Sequence, residues 1–353
     1  MSKFLNQRIS GLTPYEPGEQ PKQKEYVKLN TNELPFPPSK KGLELVQKEA
    51  GLCHLYPDPN CTELTKLLAE ELGVKENQVM LTNGSDEILN FAFMAYCDQN
   101  TSAVYSDITY GFYKVYAKLH GVESKIIPLK QDFSIDVEDY IKEQGTVIIA
   151  NPNAPTGLLL SLDEIERLVK SNTQRIVIID EAYIDFGGQS AVSLVDKYDN
   201  LLVTQTFSKS RSLAGARLGF GVANEKIIAD LMRIKYSTNP YNVNRLTCAM
   251  GMGAVLDKEY FENNCNQIIE NRQFTKTELE KLGFFVTNSK ANFLFAKTDK
   301  IDGKNLYLKL KEKGILVRHF DSDRIREYIR ITVGSGAQMK AFIDAVSNIL
   351  EEL

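Results

Sequence analysis

The chain lacks several features that mark whole classes of protein. Its 353 residues carry 42 basic and 46 acidic side chains, so a net charge of −4 provides no basic field for nucleic acid or an anionic membrane. No stretch approaches the roughly 20 apolar residues of a membrane span, and the N-terminal stretch MSKFLNQRISGLTPYEPGEQ has no apolar signal core. We therefore expect a cytoplasmic protein whose partners are small molecules, with no nucleic acid and no membrane.

Metal and nucleotide motifs are also missing. The five cysteines show no CxxC spacing, and Cys97 and Cys248 lie in apolar helical stretches that are typical of reduced core thiols. The three histidines are widely separated, so we expect no metal site. The chain has no GxxxxGK[ST] loop and no GxGxxG after a strand; Gly251 and Gly253 lie inside a helical pattern and indicate close helix packing instead.

Short β-branched runs alternate with amphipathic stretches over the first two thirds of the chain. The runs cover 79–82, 102–106, 146–150, 175–180, 201–207 and 218–223. Helical patterns lie between most of them, and the pattern after Ser161 places Glu164 at capping-box spacing. This alternation predicts an α/β fold in three layers, with a mainly parallel sheet between helices. From about Tyr241, long helical patterns and four short apolar runs predict a smaller α+β domain.

Two of the predicted strands end in loops with possible ligand contacts. In TNGSDE (82–87), Gly84 and Ser85 precede a helix that begins near Asp86, and helix-start N–H groups can cradle an anion. An ordinary helix cap explains the same residues. In ANPNAPTG (150–157), two prolines restrict a loop that could hold amide side chains over a ligand, although a structural turn explains it equally well.

Two further strands end in charge. Asp180 closes a run that should be buried on both faces, so its carboxylate needs a cationic partner; a Mg²⁺ ligand is the alternative, which the missing phosphate loop disfavours. Lys209 follows another buried run, with hydroxyls and Arg217 nearby, although a surface loop is the alternative. An acid, an amine and an anion cradle at one sheet edge together match a pyridoxal phosphate site. Asp180 would face the ring nitrogen, Lys209 the aldehyde, and Gly84, Ser85 and Arg217 the phosphate.

These residues resemble a known family, the class I and II aminotransferases of pyridoxal phosphate fold type I, and within it the histidinol-phosphate aminotransferases. The resemblance runs from PYEPGEQ (14–20) and KLNTNELPFPPS (28–39) through HLYPDPN (54–60), TNGSDE, TYGFY (109–113), NPNAPTG, DEAYIDF, TFSKSRSLAGARLG and GILVRHF to YIRITVGS. It implies a large cofactor-binding domain of the aspartate aminotransferase type (30–240) and a small domain (241–353). The N-terminal segment (1–29) would pack with the small domain and the active site.

The resemblance also implies roles for individual residues. Lys209 would form the Schiff base and move the proton, Asp180 would keep the ring nitrogen protonated, and Tyr183 would donate to the ring hydroxyl. The other residues implied to bind the cofactor are Gly84, Ser85, Asp86, Tyr110, Asn153, Thr206, Ser208 and Arg217. Tyr56 would reach the cofactor of a partner subunit, which implies a homodimer with shared active sites. The residues implied to bind substrate are Asn30, Arg318 and Arg330.

The implied reaction is a ping-pong amino transfer of histidine biosynthesis, from glutamate to a phosphorylated imidazole substrate, with 2-oxoglutarate released. The sequence departs from the family pattern at two places. Ala154 stands where the loop usually has a second asparagine, so Asn153 or Tyr183 must supply the ring-hydroxyl contact. The stretch PGEQPKQK (17–24) replaces one that helps to select the substrate. An aromatic amino acid aminotransferase and a lyase of the threonine-phosphate decarboxylase type remain the alternatives.

Overall fold

A computed structural model describes residues 2–21 and 26–353 of the chain. The α-helices are α1 (Gln7–Ser10), α2 (Lys40–Glu49), α3 (Thr62–Leu72), α4 (Ser85–Tyr96), α5 (Phe112–His120), α6 (Val137–Ile141), α7 (Leu162–Ser171), α8 (Glu225–Thr238), α9 (Arg245–Leu256), α10 (Lys258–Lys281), α11 (Gly303–Glu312) and α12 (Gly336–Glu351). Within the described ranges, no helix is both long and apolar enough to cross a membrane.

The strands fall into one large and two small sheets. They are β1 (Val27–Lys28), β2 (Val79–Thr82), β3 (Ala103–Ser106), β4 (Ser124–Ile127), β5 (Thr146–Ala150), β6 (Val177–Asp180), β7 (Leu201–Thr206), β8 (Gly219–Ala223), β9 (Phe285–Val286), β10 (Phe293–Lys297), β11 (Ile315–Leu316), β12 (Arg318–His319) and β13 (Ile329–Thr332). Short 3₁₀ turns cover Ala50–Leu52, Glu76–Gln78, Ile184–Phe186, Ala191–Leu194 and Ala214–Ala216.

The seven-stranded sheet has the order β2-β8-β7-β6-β5-β3-β4. All neighbouring strands are parallel except for β8, which runs antiparallel to both β2 and β7. Successive residues of β6 point to opposite sides: Val177 and Ile179 join one apolar core, and Ile178 joins the other. Since helices pack against the sheet in both cores, the predicted three-layer α/β fold with a mainly parallel sheet is confirmed.

Helix caps and close packing follow from local sequence. Ser161 and Glu164 form the predicted capping box at the start of α7, each side chain accepting a hydrogen bond from the other's backbone N–H. Helix α9 packs closely on α2 because Gly253 lets the backbones meet: a Cβ at that residue would lie 2.2 Å from the Cα atom of Gly42. The expected role of Gly253 in close helix packing is therefore confirmed.

A four-stranded antiparallel sheet, β12-β13-β10-β9, forms the smaller layer with α10, α11 and α12. The N-terminal strand β1 pairs in parallel with β11, so Val27 and Lys28 lie beside Ile315 and Leu316. The predicted domain bounds stay predictions, and Lys22 to Glu25 of the N-terminal segment lie outside the described residues. Contacts of α9 with α2 and α3 favour a boundary after α9 rather than at residue 240.

Candidate active site

A cavity of about 150 Å³ lies at the carboxyl ends of β5, β6 and β7. It is lined by Ser85, Asp86, Tyr110, Ala150, Pro152, Ala154, Asp180, Ala182, Tyr183, Thr206, Ser208, Lys209 and Arg217. The sequence-predicted acid, amine and anion donors are therefore neighbours in space. Parallel strands bring them together because their carboxyl ends share one edge of the sheet.

Asp180 forms the buried acidic wall of the cavity. Tyr113 donates a hydrogen bond of 2.7 Å from its hydroxyl to Oδ2, and Thr204 donates one of 3.3 Å to Oδ1. Burial raises the pKa of Asp180 from its usual 3.8 to about 6, and the two hydroxyls limit the rise. Within residues 2–21 and 26–353, no basic side chain forms an ion pair with this carboxylate. A cationic group of a ligand would supply the missing charge.

The amine of Lys209 belongs to a second residue that lines the cavity. Its Nζ donates to the carbonyl oxygen of Thr31 at 3.4 Å and lies 5.8 Å from the ring centre of Tyr183. The Tyr183 hydroxyl accepts a hydrogen bond of 3.0 Å from Nδ2 of Asn32. Since that oxygen already accepts from an amide, its proton is available to donate into the cavity.

One end of the cavity carries the donors for an anion. Gly84 precedes α4 with a φ of +77°, and a Cβ there would lie 2.5 Å from Nη2 of Arg217. Arg217 itself donates to the Ser208 hydroxyl at 3.2 Å and pairs with Asp86 at 3.0 Å. The guanidinium, the serine hydroxyls and the start of α4 form a cradle suited to a phosphate dianion.

Tyr110 is held at the cavity by the carboxylate of Asp86, which also pairs with Arg217. Its hydroxyl donates to Oδ1 of Asp86 at 2.7 Å, and its ring meets that of Tyr113 edge to face at 5.6 Å. Burial and the negative charge of Asp86 raise the pKa of Tyr110 well above its ordinary value, so the hydroxyl stays protonated. Asp86 thus fixes Tyr110 and Arg217 together.

The loop after β5 places Asn153 differently from the expectation. Ala154 lines the cavity, whereas Asn153 does not. The Asn153 amide donates to the carbonyl of Ile108 at 3.0 Å and to the Thr156 hydroxyl at 3.1 Å, which holds the loop closed. Of the two residues considered for the ring-hydroxyl contact, the geometry favours Tyr183.

The three predicted substrate residues lie close together: Arg318 and Arg330 are on β12 and β13 of the small sheet, and Asn30 lies just after β1. Arg318 and Arg330 are directly opposite each other on β12 and β13, and like charges at such positions repel. Arg330 donates to the carbonyl of Asn30 at 3.0 Å, while its buried Nε has no hydrogen-bond partner among the described residues. Burial lowers the pKa of Arg330. An anion between the arginines would relieve the repulsion and satisfy the free donor.

Tyr56 lies outside the cavity of its own chain. Its ring is 77% exposed and stacks on Tyr241 at 4.5 Å between ring centres. The structure therefore does not bring Tyr56 to the other predicted residues within one chain.

Sequence reasoning missed several residues of the site. Tyr113, Asn32 and Thr31 contact Asp180, Tyr183 and Lys209, respectively. Tyr113 belongs to the TYGFY motif and Asn32 to KLNTNELPFPPS, which are two of the segments that carry the family resemblance. Their partners are 67 and 151 residues away in the chain, and only the fold reveals the contacts.

Comparison with known proteins agrees with this geometry. The family model for aminotransferase class I and II matches residues 24–346. The histidinol-phosphate aminotransferase of Brachyspira hyodysenteriae is 50% identical, with 99% of this chain and all of the relative aligned; that of Clostridium acetobutylicum is 46% identical over the same shares.

A solved structure supports the fold independently. The histidinol-phosphate aminotransferase of Sinorhizobium meliloti, crystallised in complex with pyridoxal-5'-phosphate, superposes with a TM-score of 0.90 at 21% identity, covering all of this chain and 99% of the other. At that identity the likeness shows the fold alone. The family model and the two full-length relatives decide the family: the chain belongs to the class I and II aminotransferases.

Proposed function

We propose that the protein is a histidinol-phosphate aminotransferase that uses pyridoxal phosphate to pass an amino group from glutamate to imidazole-acetol phosphate. The observation that carries the proposal is the single cavity that joins the Lys209 amine, the buried Asp180 carboxylate and the Arg217 anion cradle. The relatives of 50% and 46% identity that bear this name support the choice of substrate.

The residues present fit this cofactor. Asp180 lacks a cation among the described side chains, and a protonated ring nitrogen is one. Gly84 has no Cβ and so lets the Arg217 guanidinium approach the start of α4, and Ser85, Ser208 and Arg217 supply donors for the phosphate. When bound, the cofactor supplies a carbonyl that takes up the amino group and a ring that accepts electrons.

Each residue then has a defined task. Asp180 holds the proton on the ring nitrogen, because a buried carboxylate is stabilised by a cation in contact with it. Tyr183 would donate its hydroxyl proton to the ring oxygen, and Tyr110 would cover the ring face. The Lys209 amine would take the proton from the α-carbon of the substrate and would deliver it to the former carbonyl carbon of the cofactor, on the other side of the transferred nitrogen. Glutamate and the phosphorylated substrate use the site in turn, which gives ping-pong kinetics.

Arg318 and Arg330 supply the recognition of anionic substrate groups. Arg330 would bind the carboxylate of glutamate or the phosphate of histidinol phosphate, and Arg318 would add a second contact to the phosphate. Asn30 closes this side, since its carbonyl already holds Arg330 and its buried Oδ1 has no partner among the described residues. Phosphorylated substrates should therefore bind better than aromatic ones.

The decisive assay uses protein loaded with pyridoxal phosphate and supplied with glutamate. We expect imidazole-acetol phosphate to be aminated with a kcat/KM well above that of phenylpyruvate, with one 2-oxoglutarate formed per amino group transferred. If phenylpyruvate were the better acceptor, the protein would be an aromatic amino acid aminotransferase instead. Release of CO₂ without 2-oxoglutarate would identify a lyase instead.

A matched pair of arginine variants tests the substrate contacts. Arg318→Gln should raise KM for the phosphorylated acceptor at least about tenfold, since a charge-assisted contact is lost, and should change KM for phenylpyruvate little. Arg326→Gln is the control, because Arg326 is an exposed surface residue of the same region. Equal effects of the two variants would refute the assigned role of Arg318.

The homodimer with shared sites belongs to the same proposal. Tyr56 exposes most of its ring outside its own cavity, which suits a contact with the cofactor phosphate of a partner. Mixing Lys209→Ala chains with Tyr56→Ala chains, after reversible dissociation, should restore activity, because one site of each mixed dimer then has both residues. Failure to restore any activity would refute shared sites.

The cytoplasmic location is likewise proposed. All five cysteines are free thiols in the structure, as a reducing compartment requires.

A further inference from the structure

Two cysteines that are 187 residues apart in sequence meet in the fold. Cys61 immediately precedes α3, Cys248 lies in the first turns of α9, and the packing of these helices brings their Sγ atoms to 2.7 Å. The other three cysteines form no such pair in the described part of the chain. Only a small movement separates this contact from the bond length of a disulfide, about 2.05 Å.

The two thiols have different environments. The hydrogen bond from Cys248 lowers the pKa of Cys61, and the positive charge of the nearby Lys235 acts in the same direction. The same hydrogen bond, together with burial, raises the pKa of Cys248. Lys235 is itself buried and donates to the carbonyl oxygen of Pro59. Cys61 is therefore the thiol that attacks, and Cys248 the one that holds the proton.

The pair is within reach of small solutes. A cavity of about 250 Å³ is lined by both cysteines, with Arg245 and Asp58 at its wall. Cys61 is almost fully buried, whereas Cys248 is only half-buried. Hydrogen peroxide is small enough to enter this space.

We propose that Cys61 and Cys248 form a reversible thiol–disulfide pair that reacts with small peroxides. The Cys61 thiolate attacks one peroxide oxygen; the O–O bond breaks, hydroxide leaves and takes up a proton as water, and Cys61 becomes a sulfenic acid. The Cys248 sulfur then attacks the Cys61 sulfur, the S–O bond breaks and a second water leaves. Two thiols are oxidised by two electrons, and one peroxide is reduced to two waters.

The bridge would connect two parts of the active-site surroundings. Cys61 directly follows the loop 54–60, which carries Tyr56, and Cys248 is next to Thr247, whose hydroxyl donates to the carbonyl of Ala216 at 2.9 Å. Ala216 precedes Arg217 of the anion cradle. Oxidation therefore fixes the Tyr56 loop to the helix that supports the phosphate-binding arginine.

The test uses the full chain loaded with cofactor and treated with one equivalent of hydrogen peroxide at neutral pH. The number of thiols that react after denaturation should fall from five to three, and peptide mass spectrometry should find Cys61 joined to Cys248. Dithiothreitol should restore five. Because the bridge closes a long loop, the oxidised protein should unfold at a Tm roughly 5 °C higher.

Variants identify the cysteines responsible. Cys248→Ser and Cys61→Ser should each abolish the loss of two thiols, whereas Cys97→Ser, at another buried cysteine, should leave the bridge intact with two thiols remaining after oxidation. The wild-type measurement stands even if a variant fails to fold. Oxidation confined to the exposed Cys53, a bridge between two chains on a non-reducing gel, or no thiol loss would each overturn the proposal.

Discussion

The hydrogen bond from the Tyr113 hydroxyl lowers the pKa of Asp180 against the effect of burial, and Tyr113→Phe tests by how much. Tyr113 donates to the carboxylate at 2.7 Å from a fully buried position. A hydrogen bond to a charged group contributes about 1.5 to 3 kcal/mol, and each pKa unit corresponds to about 1.4 kcal/mol. The substitution should therefore raise the pKa of Asp180 from about 6 to roughly 7 to 8 in the protein without cofactor.

This change sets the magnitude and the pH range of the effect. In the proposed site a protonated cofactor ring needs Asp180 as a carboxylate. At pH 7 about 90% of the wild-type carboxyl but only about 10 to 50% of the variant carboxyl would be ionised. Affinity for pyridoxal phosphate should thus fall roughly two- to tenfold at pH 7 and recover by pH 9. The stability of the folded protein should show the linked effect. When the pKa of a carboxyl is higher in the folded than in the unfolded state, the stability present at low pH is lost as the pH rises through the folded-state pKa.

Equilibrium dialysis of the cofactor at pH 6, 7, 8 and 9 measures the effect. Tyr105→Phe is the matched control, because Tyr105 is buried beside Tyr113 but donates to the Ser124 hydroxyl rather than to a carboxylate. An affinity deficit of the same size at every pH would refute the reasoning, since Tyr113 would then act only through packing.

Three further changes follow from the contacts. Gly84→Ala should weaken cofactor binding at least about tenfold while leaving Tm within a few degrees, because the new Cβ meets Arg217 and the φ of +77° disfavours it; dialysis and thermal unfolding check both. The free energy of unfolding of Glu181→Gln, relative to wild type, should be higher at pH 8 than at pH 5. Burial raises the pKa of Glu181 from 4.5 to about 7, so the wild type loses roughly 3 kcal/mol of stability as the pH rises through that value, whereas the variant does not. Urea unfolding measures this, and the same difference between variant and wild type at both pH values would refute it. Gly253→Ala should lower stability by about 1 to 3 kcal/mol by forcing α9 from α2, whereas Gly215→Ala, with open space around it, should not.

Much of the sheet was predictable because a strand that is buried on both faces must be a continuous apolar run. The runs ending at Thr82, Ala150 and Asp180 coincide with β2, β5 and β6 to within two residues at either end. Strand β4 was not predicted because it is an exposed edge strand. Ser124 and Lys125 are exposed, so the sequence needs no apolar pattern there. The strand ends also placed the charged site residues, since the topology of such sheets collects them at one edge.

Contacts between distant segments could not be predicted in this way. Nothing in the sequence around Cys61 or Cys248 specifies that α3 and α9 touch. The orientation of Asn153 depends on its hydrogen bond to the carbonyl of Ile108, which is 45 residues away in the chain. Its neighbour Ala154, and not Asn153, lines the cavity. Pair interactions of this kind are set by packing rather than by local propensity.

The reversed strand β8 has a consequence for the order of folding. Because β8 returns antiparallel beside β7, the segment from Lys209 to Arg217 is the connection of a single local hairpin. Short-range contacts form faster than distant ones, so the amine and the guanidinium can acquire their spacing early. We expect the start of α4 to join later, because Asp86 is 131 residues from its partner Arg217. We therefore expect the segment with Lys209 and Arg217 to form as a local unit and the rest of the proposed binding surface to be added around it.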